Sequence, residues 1–145
     1  MNEFQESFRE LLNEKQINCY QLSKKLNIPS STLNGYLTTK YYPTIENSIK
    51  MCKFFECSLD YLFGLNDDKK HKISPYNKNT FFHNFNKLIK DNQIPIARTM
   101  REMKMGEFDY YRWRDGKFPK TSNIIEIAKY FNSSVDYLIG NKWEE

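Results

Sequence analysis

One segment of this chain is written twice. "PTIENSIKMCKFFECSLDYLFG" (43–64) aligns without a gap to "PKTSNIIEIAKYFNSSVDYLIG" (119–140), and 10 of the 22 positions are identical. Upstream, "FRELLNEKQI" (8–17) answers "FNKLIKDNQI" (85–94) at a spacing one residue longer. The extra residue falls between "TTKYYP" in the first copy and "DGKFP" in the second. An indel confined to a loop is what a duplicated fold tolerates. A chain of 145 residues can hold one ordinary domain or two very small ones, and the repeat selects the second option. The stretch between the copies, "NDDKKHKISPYNKN" (66–79), is polar, contains Pro75 and has no apolar period. It reads as a linker. The expected organisation is residues 1–65, a linker over 66–79, and residues 80–145.

Within each copy the apolar residues follow a helical period. Phe4, Phe8, Leu11 and Leu12 share one face, as do Phe81, Phe85, Leu88 and Ile89. A second short helix carries Leu22 and Leu26, answered by Thr99, Met100 and Met103. A break follows at Asn27–Pro29 and at Lys104–Gly106. A third helix is expected over about 30–37 and about 107–114, with Ser30, Ser31 and Thr32 as caps or first-turn residues. A fourth carries Ile45, Ile49, Cys52 and Phe55, mirrored by Ile124, Ile125, Ala128 and Phe131. A fifth opens on Ser58 or Ser134 as N-cap and stops at Gly64 or Gly140. No segment reads as a strand, so each copy is expected to be five short helices and the fold class all-α.

Composition narrows the function. No run approaches the ~20 apolar residues of a membrane span, and residues 1–6 lack the basic and apolar pattern of a secretory signal. Cys19, Cys52 and Cys57 have no metal-ligand spacing, and His71 and His83 complete no ligand set. Reduced thiols in a bacterial cytoplasmic protein are the expectation. There is no Gly-rich phosphate loop, no G-x-S-x-G elbow and no H-E-x-x-H, so neither catalysis nor a cofactor or metal is expected. Net charge is +4. Residues 1–66 balance at 7 Lys/Arg and 7 Asp/Glu, and the excess lies in the rest of the chain. That permits a polyanion partner without demanding one.

Two helices joined by a tight turn form a helix-turn-helix. "INCYQLSKKLNIPSSTLNGYL" (17–37) resembles the motif of the Cro/C1-type, phage-repressor-like helix-turn-helix domains, and "CSLDYLFG" (57–64) resembles their last helix. The resemblance covers nearly all of copy one and most of copy two. It implies two tandem lambda-repressor-like domains that bind double-stranded DNA. It places the base-facing positions of copy one at Ser30, Ser31, Asn34 and Gly35, beside Thr32, with Cys19 and Tyr20 opening the preceding helix. Cys19 stands where the family often has glutamine, and a thiol is a poor base reader. Hydroxyls and Asn34 suit base edges, while Lys24, Lys25, Thr38, Thr39 and Lys40 suit phosphates. The plainer reading makes Ser30–Thr32 a helix start and the lysines a solvated face.

Copy two departs from this pattern. Glu107, Phe108, Tyr111 and Arg112 replace Ser30, Ser31, Asn34 and Gly35, and Tyr110 and Trp113 read as core. Arg98, Arg101, Arg112, Arg114 and Lys117 favour DNA, whereas Glu107 and Asp109 oppose phosphate. Arginine among aromatics is also the composition of a protein-binding hot spot. Two function classes therefore stand. One is a sequence-specific transcriptional regulator, a repressor of phage or mobile-element type, reading an asymmetric site with both copies or acting as a homodimer. The alternative is a protein-binding antagonist, such as an anti-CRISPR protein, using copy two and repressing its own promoter with copy one.

Overall fold

The computed structural model describes residues 2–39, 41–69 and 78–140 of the chain. They form two compact units, Met1–Ile73 and Ser74–Glu145. Unit 1 contains α1 (Glu3–Lys15), α2 (Cys19–Leu26), α3 (Ser30–Thr38), α4 (Ile45–Phe55) and α5 (Leu59–Leu62). Unit 2 contains α6 (Phe81–Asn92), α7 (Ile96–Glu102), α8 (Glu107–Arg114), α9 (Thr121–Tyr130) and α10 (Val135–Leu138). A 3-10 turn at Lys78–Thr80 leads into α6. No strand occurs among the described residues.

The two sets of helices correspond one for one, and so do their ends. Ser58 and Ser134 each accept a hydrogen bond from the backbone N–H three residues on. Gly64 and Gly140 follow with φ of 75° and 86°. Left-handed residues also recur in step: Gln16 with Gln93, Asn27 with Lys104, and Glu56 with Asn132. The copies start their first two helices differently. Asn2 with Gln5, and Asn18 with Gln21, build reciprocal capping boxes that satisfy orphan N–H groups. Unit 2 has no side-chain cap on α6 or α7.

Each core is built on a stacked phenylalanine pair. Phe4 and Phe8 lie 5.8 Å apart at 14°, and Phe81 and Phe85 lie 5.7 Å apart at 21°. Around them the same four ring contacts recur. Phe4 meets Tyr36 and Tyr42, and Phe81 meets Trp113 and Phe118. Phe8 meets Phe55, as Phe85 meets Phe131. Phe54 against Phe55 is answered by Tyr130 against Phe131. All four stacked phenylalanines are buried. Each such side chain contributes roughly 1.5–3 kcal/mol from burial, and each ring pair about 0.5–1.5 kcal/mol more.

Near the ends of the expected linker, Lys69 forms an ion pair with Glu14 and sits 5.4 Å from the Tyr61 ring centroid, and the 3-10 turn at Lys78–Thr80 precedes α6. Phe8→Ala and Phe85→Ala are each expected to destabilise their own unit by about 3–5 kcal/mol. Native-state amide exchange, which reports the two units separately, measures this as lost protection confined to the substituted unit.

Candidate nucleic-acid interface

The helix-turn-helix of unit 1 is held from beneath by Leu22, Ile28, Leu33 and Tyr36, all buried. Asn27 takes φ 56° to close α2. Pro29, at φ −55° and ψ 138°, redirects the chain into α3. Ser30 is the first residue of that helix, and no side chain caps it. The seryl and threonyl run therefore supplies first-turn side chains, not a cap.

Two long-range bonds fix the far end of α3. The Gln5 side chain is 6% exposed. Its Nε2–H donates to the Tyr36 carbonyl at 3.0 Å and to the Thr39 carbonyl in a shorter contact. These carbonyls belong to the last turn of a helix, where no backbone partner remains. Asn47 Nδ2–H donates to the Tyr36 hydroxyl at 3.0 Å, tying α3 to α4. Unit 2 has Phe82 at the position of Gln5, and Phe82 packs on Tyr110 instead. There the Tyr110 hydroxyl donates to Asn86 Oδ1 at 2.6 Å, and burial pushes the phenol pKa up.

Of the residues expected to contact DNA, Ser31, Asn34, Thr38 and Thr39 are exposed, while Ser30, Thr32 and Gly35 are half-buried. Ser31, Asn34, Gly35 and Thr38 follow the i, i+3, i+4, i+7 spacing of one helical face. Thr38 Oγ1–H lies 3.3 Å from the Asn34 carbonyl, and Thr39 Oγ1–H donates to the Gly35 carbonyl at 2.8 Å. Both hydroxyls keep acceptor lone pairs for a partner. Tyr20 is 60% exposed, with Lys24 Nζ 4.6 Å from its ring centroid. Cys19 does not join them. It is buried among the core residues, and desolvation raises its thiol pKa against the nearby Arg9. Its position as the first residue of α2 turns it inward. Lys40 lies outside the described residues.

Three further features mark this surface. From Lys15 to Ile45 the chain has four lysines and no carboxylate, so the whole motif and its following loop repel no phosphate. Tyr41 is 78% exposed, whereas its neighbour Tyr42 packs on Phe63 and Phe4. The doubled tyrosine was the available signal. Finally, a Cβ added at Gly35 would meet nothing within 4 Å. The core does not require a glycine there, although mid-helix glycine disfavours folding relative to alanine.

In unit 2 the corresponding face is bulky. Phe108 is 78% exposed and Tyr111 39%. Glu107, Arg112, Arg114 and Lys117 are exposed, and Arg98 pairs with Glu102 at 2.7 Å on α7. The Tyr130 hydroxyl and Arg98 hold the Glu102 carboxyl below its usual range. Arg112 pairs with Asp109 and Arg114 with Asp115, each at 3.1 Å. Arg114 also lies 4.9 Å from the Tyr111 ring centroid. Tyr110 and Trp113 are buried as expected.

Known proteins agree with the geometry of unit 1. Its residues 7–68 match the family model of the Cro/C1-type HTH DNA-binding domain. Unit 1 carries a Cro/C1-type helix-turn-helix domain. The chain is also similar to the Uncharacterized HTH-type transcriptional regulator YobD of Bacillus subtilis (strain 168), at 27% identity over 73 residues. That match takes in 50% of this chain and 65% of the relative, so the chain spans less than two thirds of the relative's length. No solved structure matches at a significant level. No group of His, Cys, Asp and Glu suited to a metal occurs among the described residues, and no described helix is long and apolar enough to cross a membrane.

In the Cro/C1-type domain, Gln5→Leu is expected to cost about 1–3 kcal/mol, because it leaves the buried Tyr36 carbonyl of α3 unsatisfied. Gly35→Ala is expected to stabilise the same domain by about 0.5–1 kcal/mol. Urea unfolding midpoints of the two variants should move in opposite directions.

Proposed function

We propose that this protein is a sequence-specific DNA-binding transcriptional regulator, a repressor of the kind carried by phages and mobile elements, acting in the bacterial cytoplasm. Unit 1 lays α3 in the major groove and blocks a promoter by occupancy, which requires no chemistry. The observation that carries this reading is the outward face of α3. It holds short polar side chains, Ser31, Asn34 and Thr38, around Gly35, within a stretch of lysines and no carboxylates. Short side chains let the helix backbone come close to base edges, where hydroxyls and a carboxamide can discriminate. Lys24, Lys25 and the exposed Tyr20 and Tyr41 flank that face in sequence and suit the phosphate backbone.

Selection of bound sequences from random DNA tests the proposal. It should return a defined motif, and equal affinity for every sequence would overturn specific regulation. On the selected site, Ser31→Ala and Asn34→Ala should each weaken binding by about 1–3 kcal/mol and relax preference at one base position. Gly35→Ala should weaken binding while the fold gains stability, a combination that loss of folding cannot produce.

A further inference from the structure

We infer that the outward face of α8 in unit 2 is a self-association surface, and that its occupant is α8 of a second copy of this chain, packed antiparallel about a two-fold axis. Four exposed residues carry the argument: Glu107, Phe108, Tyr111 and Arg112. Their spacing, i, i+1, i+4 and i+5, groups them on one face of the helix. The buried Tyr110 and Trp113 lie on the other side.

This quartet is complementary to itself. A two-fold axis through its centre brings Glu107 opposite Arg112 of the second copy, and Phe108 opposite Tyr111. Both charge pairs and both ring pairs are then formed at once, as an isologous interface requires. The helix as a whole has the same polarity, acidic in its first turn at Glu107 and Asp109 and basic in its last at Arg112 and Arg114. Antiparallel pairing sets each acidic turn against a basic one.

DNA fits this face less well. Arg114 already holds a carboxylate at 3.1 Å. Over 107–117 the three cations are matched by Glu107, Asp109 and Asp115, which leaves no net positive charge to meet phosphates. Glu107 has no ion-pair partner among the described residues, so its carboxylate is open to a second copy. A phenylalanine at 78% exposure with tyrosine and arginine beside it is the make-up of an interface anchor.

The consequence goes beyond the proposed regulator. Self-association through unit 2 would give one particle two copies of α3, hence a two-fold-symmetric operator instead of the asymmetric site suggested by the tandem sequence. The inference does not rest on DNA reading, because its test contains no DNA.

The full chain is measured by sedimentation equilibrium and light scattering over a range of concentrations. The wild type should approach the dimer mass as concentration rises. Glu107→Arg and Arg112→Glu should each weaken self-association by about tenfold or more, since each sets like charges face to face. The double variant, with both charges reversed, should recover the dimer. Circular dichroism should be unchanged for all three, because both sites are exposed. A wild-type chain that stays monomeric at every concentration would overturn the inference and return the face to a foreign partner. So would single variants that dimerise like the wild type, or a double variant as weak as the singles.

Discussion

Everything in each unit leans on two phenylalanine rings one helical turn apart. The stacked pair of Phe4 and Phe8, like that of Phe81 and Phe85, is where the first, third, fourth and fifth helices or their flanking loops find a common surface. Tyr36 and Trp113 are the inner residues of α3 and α8, and both rest edge-on against this pair. The third helix of each unit is thus positioned from its inner face and, in unit 1, from its C-terminal carbonyls. Its outer face is left open to change without penalty to the core. That separation explains how one scaffold can present a short, uncharged polar surface in unit 1 and a bulky aromatic, ion-paired one in unit 2.

The polar bonds divide along the same line. Ser58 and Ser134 do the same local work at equivalent positions. Ser7 donates to the Tyr61 carbonyl and Asn84 to the Tyr137 carbonyl, again at equivalent positions. These contacts hold the last helix on the first in both units. The bonds that differ cluster around the third helix: Gln5 reaching its final carbonyls in unit 1, and Asn86 receiving the Tyr110 hydroxyl in unit 2. The two units share their closure and differ in the support of the third helix.

Most of the fold was legible because the repeat is local and the helices are amphipathic. The apolar spacing of Phe4, Phe8 and Leu11 and the Ser-to-Gly frame of the last helix need only nearest neighbours to be read. What escaped depended on contacts far along the chain or on small changes in helix phase. Nothing local at Gln5 announces that its amide ends on a helix thirty-one residues away. The capping boxes at Asn2 and Asn18 were present as N-x-x-Q, yet they sit beside stronger apolar signals. Cys19 matched a contact position by alignment, but the start of α2 turns its side chain into the core. For Phe108 the pattern left DNA and protein open, and the balanced charge of its neighbours over 107–117 weighs against DNA.

The three thiols have a practical consequence. Cys19, Cys52 and Cys57 are all buried, all reduced, and all in unit 1. Unit 2 has none. Each can meet a solvent reagent only when that unit opens, and they sample α2, α4 and the turn before α5. The native chain therefore contains three clocks for the opening of its Cro/C1-type domain, one per structural layer, all silent toward motion in the other half.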